Sequence, residues 1–253
     1  MDALQRSRLE LYVDRKLPVI LRSNVLTSVV SVLLTEDDNN SIWDLLIIIP
    51  NEHYATFSAQ NGNSYVFDDH DHEPPVFSKV RNLSWLKADL ERRISIAIWI
   101  LSNSLILSDP DDQIRNLINE YKIKFKRRVP ELIKIKYLEL RTERHNLRNA
   151  VRFERNTAID IIRATVVKLA LEMSFLADRQ PYPYKKWLPE TAESSSEYGY
   201  KILSVSKMFL KATCPDEIIT LSQALVDMIN DMLREKKILS DDVINQWWMH
   251  LLY

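Results

Sequence analysis

An α+β fold is predicted for this chain, with a small mixed sheet in residues 1–110 and an all-helical bundle in residues 111–253. Short β-branched and apolar runs are confined to the first part. Helical periodicity covers nearly everything after residue 111. Strands first and helices afterwards is the order of an α+β chain, not of alternating βα units.

Residues 2–16 place Leu4, Leu9, Leu11 and Tyr12 roughly on one side and read as an amphipathic helix. Residues 25–34 are rich in β-branched side chains and read as a strand. Residues 42–49 read as a second strand, whose continuous apolar run implies burial on both faces. Residues 53–58 and 64–68 flank Asn61-Gly62, a hairpin turn signal, and are expected to pair across it. Residues 76–80 add a strand after Pro74-Pro75. Residues 85–103 form one helix on Leu86, Leu90, Ile94, Ala97, Ile98 and Leu101, and 104–107 a last short strand. Asp109 is expected to cap the next helix, with Pro110 at its first position. Helices follow at 111–128, 131–155, 157–177, 197–212, 215–237 and 240–252. Pro130 and the tract 180–190 interrupt them, and Ser240 caps the last.

Composition narrows the function. With 46% apolar residues over 253 positions, the chain can bury a substantial core. A net charge of -1 argues against a general nucleic-acid binder. The lone Cys214 excludes an internal disulfide framework and a cysteine-rich zinc site. The N-terminal segment mixes charged and apolar residues, and no run of about 18 apolar residues exists, so a cytoplasmic protein outside the membrane is expected. Only two glycines are present, Gly62 and Gly199, so neither a P-loop nor a dinucleotide fingerprint can be built. Any bound phosphate must be held by side chains, metal or helix ends. Residues 122–155 hold 12 basic and 4 acidic side chains, a basic island between acidic flanks.

The most informative stretch is residues 35–50, where an acidic and amide-rich loop runs into an apolar strand through Ser41-Ile42-Trp43-Asp44-Leu45. It resembles the metal-binding strand of the nucleotidyltransferase superfamily. There a Gly-Ser pair ends one strand and Ser-Asp-x-Asp-Leu follows roughly ten residues later. The Gly-Ser position here is Val30-Ser31, and Ile42 replaces the first aspartate, leaving Asp44. The resemblance implies Mg²⁺ held by carboxylates that bridges a triphosphate, with Asp44 as the surviving metal and catalytic ligand and Ser31 near the substrate. Two residues separated by one position on a strand share a face, but isoleucine cannot ligate metal. Asp37 and Asp38 are adjacent and would face opposite ways, while Asp68, Asp69 and Asp89 are candidates for a third carboxylate. The plan of sheet then helices resembles the lincosamide and aminoglycoside nucleotidyltransferases. They place the substrate in a cleft between the two domains.

A second motif is Arg179-Gln-Pro-Tyr-Pro-Tyr-Lys-Lys-Trp-Leu-Pro189. It resembles a Tyr-Pro-Tyr-x-Lys-Trp-like segment of an uncharacterised family related to the lincosamide enzymes. Prolines fix the backbone, so Tyr184, Lys186 and Trp187 are presented either to an acceptor and its phosphate or to the bundle as packing. A third feature is an arginine stripe, Arg141, Arg144, Arg148, Arg152 and Arg155, at helical spacing beside His145. It either binds phosphate or is a solvated face paired with Glu139, Glu143 and Glu154. Lys122 to Arg128 reads as a basic helix C-terminus. His70 and His72 read as parts of a solvated loop, and Trp247-Trp248 as core or a homodimer contact.

The expectation is a nucleotidyltransferase-fold protein with a divergent active site. It would bind a nucleotide or anionic small molecule through Arg141, Arg144, Arg148 and Lys186 in the interdomain cleft, with or without nucleotidyl transfer. The alternatives are a non-catalytic interaction protein and a metal-independent enzyme of small metabolites on the same scaffold.

Overall fold

The computed structural model describes residues 3–16, 31–36, 42–61, 66–109, 111–195 and 197–251. The chain divides into two compact units, Met1–Ile123 and Lys124–Tyr253, and the division falls inside a helix. No described helix is long and apolar enough to cross a membrane.

In the first unit, α1 (Ala3–Leu11) continues into a π-helical turn, Tyr12–Lys16. β1 (Ser31–Glu36), β2 (Trp43–Ile49), β3 (Val66–Asp69), β4 (Val76–Asn82) and β5 (Ser104–Ser108) form a sheet of order β3-β4-β2-β1-β5. β2 and β4 are parallel and the other pairs are antiparallel, so the sheet is mixed. Trp43, Leu45, Ile47 and Ile49 of β2 and Val76 and Val80 of β4 bury one face against Leu9, Tyr12 and Phe57. Residues 17–30 lie outside the described residues, including most of the strand expected at 25–34.

The expected hairpin is absent. Residues 51–60 form a helix instead, α2 (Asn51–Gln60), which buries Phe57. It is the crossover that joins parallel β2 to β4, and two parallel strands need such a connection. Asn61 is its stop signal: the Asn61 amide and side chain both donate to the carbonyl of Phe57. Gly62 and residues 63–65 lie outside the described residues.

The helix expected at 85–103 is two, α3 (Leu83–Arg92) and α4 (Ile94–Ser102). The break falls at Arg93, which leaves the helical region and whose Nε and Nη2 donate to buried Asp89 at 2.8 and 2.5 Å. Asp109 caps as expected, its carboxylate accepting the Ile114 and Arg115 amides at 3.1 and 3.0 Å. The helix it caps, α5 (Gln113–Arg152), starts later than expected, and Pro110 lies outside the described residues.

Pro130 does not end α5, which runs through it for 40 residues. A proline inside a helix costs about 3 kcal/mol. Phe125, Val129, Ile133 and Tyr137, four residues apart and 0–2% exposed, keep one buried stripe in register across it. That burial offsets the lost hydrogen bond. Lys122 to Arg128 is therefore mid-helix, not a helix C-terminus.

The second unit adds α6 (Asn156–Ala177), α7 (Leu188–Ser195), α8 (Glu197–Lys211), α9 (Pro215–Glu235) and α10 (Asp241–Asn245). α7 occupies the end of the tract expected to be irregular. Ser240 caps α10 through the Val243 amide, and a 3₁₀ turn, Trp247–His250, replaces the rest of the expected last helix. The scarcity of glycine shows at the helix ends. α5, α6 and α9 each close with a Schellman pair of hydrogen bonds, and the left-handed residue is Glu154, Arg179 or Lys237 where glycine is usual.

Candidate functional site

Alternation along β2 buries Trp43, Leu45 and Ile47, so Asp44 and Leu46 take the other face of the sheet. Strand register sets Asp68 of β3, Phe77 of β4, Asp44 of β2 and Thr35 of β1 in one cross-strand row. Lys79, two residues along β4 from Phe77, turns its ammonium to Asp44, with Nζ 3.4 Å from both carboxylate oxygens. Their side chains are 47% and 41% exposed, so the pair adds at most about 1 kcal/mol to stability. Its consequence is electrostatic: a cation already stands beside the one carboxylate that the sequence motif keeps.

The described residues around Asp44 do not fit a divalent cation. Such ions take several oxygen ligands. Here Asp44 faces an ammonium, and Ile42, two residues earlier, supplies no donor. Among the described residues no group of three or more His, Cys, Asp or Glu side chains could hold a metal. The candidate third carboxylates are elsewhere or occupied. Asp69 accepts from the Tyr12 hydroxyl at 3.2 Å, and Asp89 holds Arg93. Asp68 shares the face of Asp44 but sits two strands away, about 9–10 Å by strand spacing. Ser31 opens β1 opposite Ile48, while Asp37, Asp38 and Ser41 lie outside the described residues.

His70, Asp71 and Glu73 are exposed, as a solvated loop requires, whereas His72 is half-buried. His70 meets Phe77 edge-on at 5.5 Å. His72 packs between Tyr12 and Trp43 at 4.7 and 4.9 Å and bonds the Pro74 carbonyl through Nδ1 at 2.7 Å. The loop is thus fastened to the core, and burial together with Asp69 raises the pKa of Tyr12.

A crystal structure of a nucleotidyltransferase-like protein from Exiguobacterium sibiricum is similar to this chain, with a TM-score of 0.53 and 12% sequence identity over 90% of this chain and 75% of that one. The chain has a nucleotidyltransferase-like fold. No family model and no curated protein matches its sequence. The solved structure therefore speaks for the architecture and not for a lincosamide or aminoglycoside substrate.

In the second unit the arginine stripe separates into distinct environments. Arg141 donates to the Tyr137 hydroxyl at 2.7 Å and to the Ile244 carbonyl at 3.3 Å, and lies over Trp247 at 5.2 Å. Arg144 is half-buried, and its Nε is buried without a hydrogen-bond partner among the described residues. Burial, then Arg148 and Arg141, lower its pKa, and only Asp227 opposes them. Arg148 is exposed. Arg152 and Arg155 both stack on Phe153 at 5.6 Å, beyond the cluster. Within the described residues Arg144 and Arg148 have no ion pair, and no pairing of the stripe with Glu139, Glu143 or Glu154 is found.

The aromatic-proline tract is divided: Tyr182, Pro183 and Leu188 are buried, and Tyr184, Lys185 and Lys186 are exposed. Tyr182 is buried and its ring lies 5.0 Å from Lys136 Nζ. Lys186 rests on the Trp187 ring at 3.9 Å, and Tyr184 is 41% exposed. Trp248 is 54% exposed and meets Trp247 edge-on, so it is not core.

Sequence reasoning missed two groups. Lys79 could have been noticed as one of the two charged residues, with Arg81, in the alternating strand Val76–Asn82. Glu172 is the one acid in the apolar run of α6 after Lys168, and it binds Lys136 at 2.5 Å.

Proposed function

We propose that this protein keeps a nucleotidyltransferase-like scaffold with a divergent site and binds a nucleotide or another anionic small molecule without two-metal nucleotidyl transfer. The observation that carries the reading is Lys79 against Asp44, where the scaffold's chemistry needs a carboxylate pair around a cation. Tethered ammonium in place of metal removes the Lewis acid but leaves a charged, strand-positioned face. An anionic ligand is supported by the arginine cluster of the second unit, where half-buried Arg144 stands near Arg141 and Arg148 with its Nε unpartnered among the described residues. Titrating ATP and GTP calorimetrically in EDTA and again in excess Mg²⁺ tests this. The expected result is binding of at least one nucleotide in EDTA that excess Mg²⁺, which shields the phosphate oxygens, does not strengthen. Mg²⁺-dependent pyrophosphate release, or no binding at millimolar nucleotide, refutes it.

A further inference from the structure

Arg144 is an unusual side chain to keep. Its guanidinium is partly desolvated, its Nε has no acceptor among the described residues, and Arg141 and Arg148 stand close enough to oppose its charge. A charge so placed is a cost to the folded protein. The nearby carboxylate, Asp227, attracts Arg144 but forms no ion pair with it among the described residues, and it accepts from the Gln223 amide at 2.8 Å. Arg141 is oriented by neutral acceptors, the Tyr137 hydroxyl and the Ile244 carbonyl, which fix its geometry without neutralising it. The helical rise spaces Arg141 and Arg148 about 10 Å apart along α5, a length suited to a chain of phosphoryl groups rather than to one carboxylate. Beside the arginines, Trp247 stacks on Arg141, and the Trp248 indole touching it is more than half exposed. An exposed indole one ring removed from Arg141 offers a stacking face for a nucleobase.

We infer that Arg141, Arg144 and Arg148 seat the phosphate chain of a nucleoside polyphosphate, with Trp248 stacking on its base. This rests on the proposed anion-binding function and names its ligand class and place. The seat takes phosphate directly on guanidinium forks, so it needs no metal and no glycine loop, in keeping with a chain that has two glycines. Arg144 then belongs to the site and not to the fold. Removing it relieves repulsion in the free protein and weakens the bound state.

The test is a calorimetric titration of ATP and, separately, of inorganic tripolyphosphate into the full chain, metal-free. Wild type is compared with Arg144→Met, Arg148→Gln, Trp248→Ala and the exposed mid-helix control Arg127→Gln. The expected results are a loss of about tenfold or more in affinity for both probes in each seat-arginine variant and none in the control. Arg144→Met without ligand should melt no lower than wild type, a result that a purely structural arginine would not give. Trp248→Ala should weaken ATP and spare tripolyphosphate. ATP binding that survives both seat-arginine substitutions overturns the seat while leaving the proposed function standing. Arginine-dependent tripolyphosphate binding with no nucleotide binding keeps the seat and removes the nucleotide reading. Failure of wild type to bind either probe, or an oligouridine that outcompetes ATP at these arginines, overturns the inference.

Discussion

Replacing Glu172 by alanine is expected to destabilise the protein by about 3–5 kcal/mol, because it strands a buried ammonium. Glu172 on α6 and Lys136 on α5 meet at 2.5 Å with side chains 4% and 14% exposed. Lys168 reaches the other carboxylate oxygen at 3.6 Å. Tyr182 packs on Lys136, so the same pair fastens the aromatic-proline loop to the helices. The exposed pairs elsewhere are worth little by comparison. Urea denaturation followed by circular dichroism measures the effect. Converting both partners to apolar residues, Lys136→Met with Glu172→Leu, should recover most of the loss, since no charge is then left unpaired. A single Glu172→Ala variant within about 1 kcal/mol of wild type would show that the pair does not organise this unit.

The second large effect is alkaline. Stability should hold up to about pH 10 and fall steeply above it. Lys136 is pulled down by burial, but Glu172 and Tyr182 more than offset this, so its pKa is raised. Burial raises Tyr137 despite the opposing Arg141, and burial and Glu172 raise Tyr182. Tyr12 is raised by burial and by Asp69. In each case the folded state holds its proton more tightly than the unfolded chain. The linked stability is therefore complete below the unfolded values and is lost as pH rises through the folded ones. Four such groups act in the same direction, three of them buried phenols. Melting temperatures measured from pH 7 to 12 check the sign, and a flat profile through pH 11 contradicts it.

Local pattern carried much of the architecture. Alternation in β2 and the apolar run of α6 are visible in single-residue periodicity, and Asp109 and Ser240 announce helix starts by side-chain chemistry alone. The errors came where tertiary context overrode a local signal. Asn61-Gly62 reads equally as a hairpin turn or a helix stop, and the need to connect parallel β2 and β4 decided for the stop. Pro130 was outweighed by a buried stripe that continues on both sides of it. At the candidate site, Asp44 and the arginines were legible because their spacing is their signal. Lys79 was not, because its meeting with Asp44 depends on strand register between positions 35 residues apart. The loop tyrosine, Tyr182, reaches Lys136 46 residues away in the same manner.

On the function proposed above, Lys79 and not a divalent cation neutralises Asp44. Calorimetric titration of Mn²⁺ and Mg²⁺ into wild type and into an Ile42→Asp, Lys79→Ala double variant tests it most directly. Wild type is expected to take up neither ion at millimolar concentration, and the double variant, with its carboxylate pair restored and the ammonium gone, is expected to bind Mn²⁺. Uptake of either ion by the wild-type protein that disappears in Asp44→Asn would contradict the account.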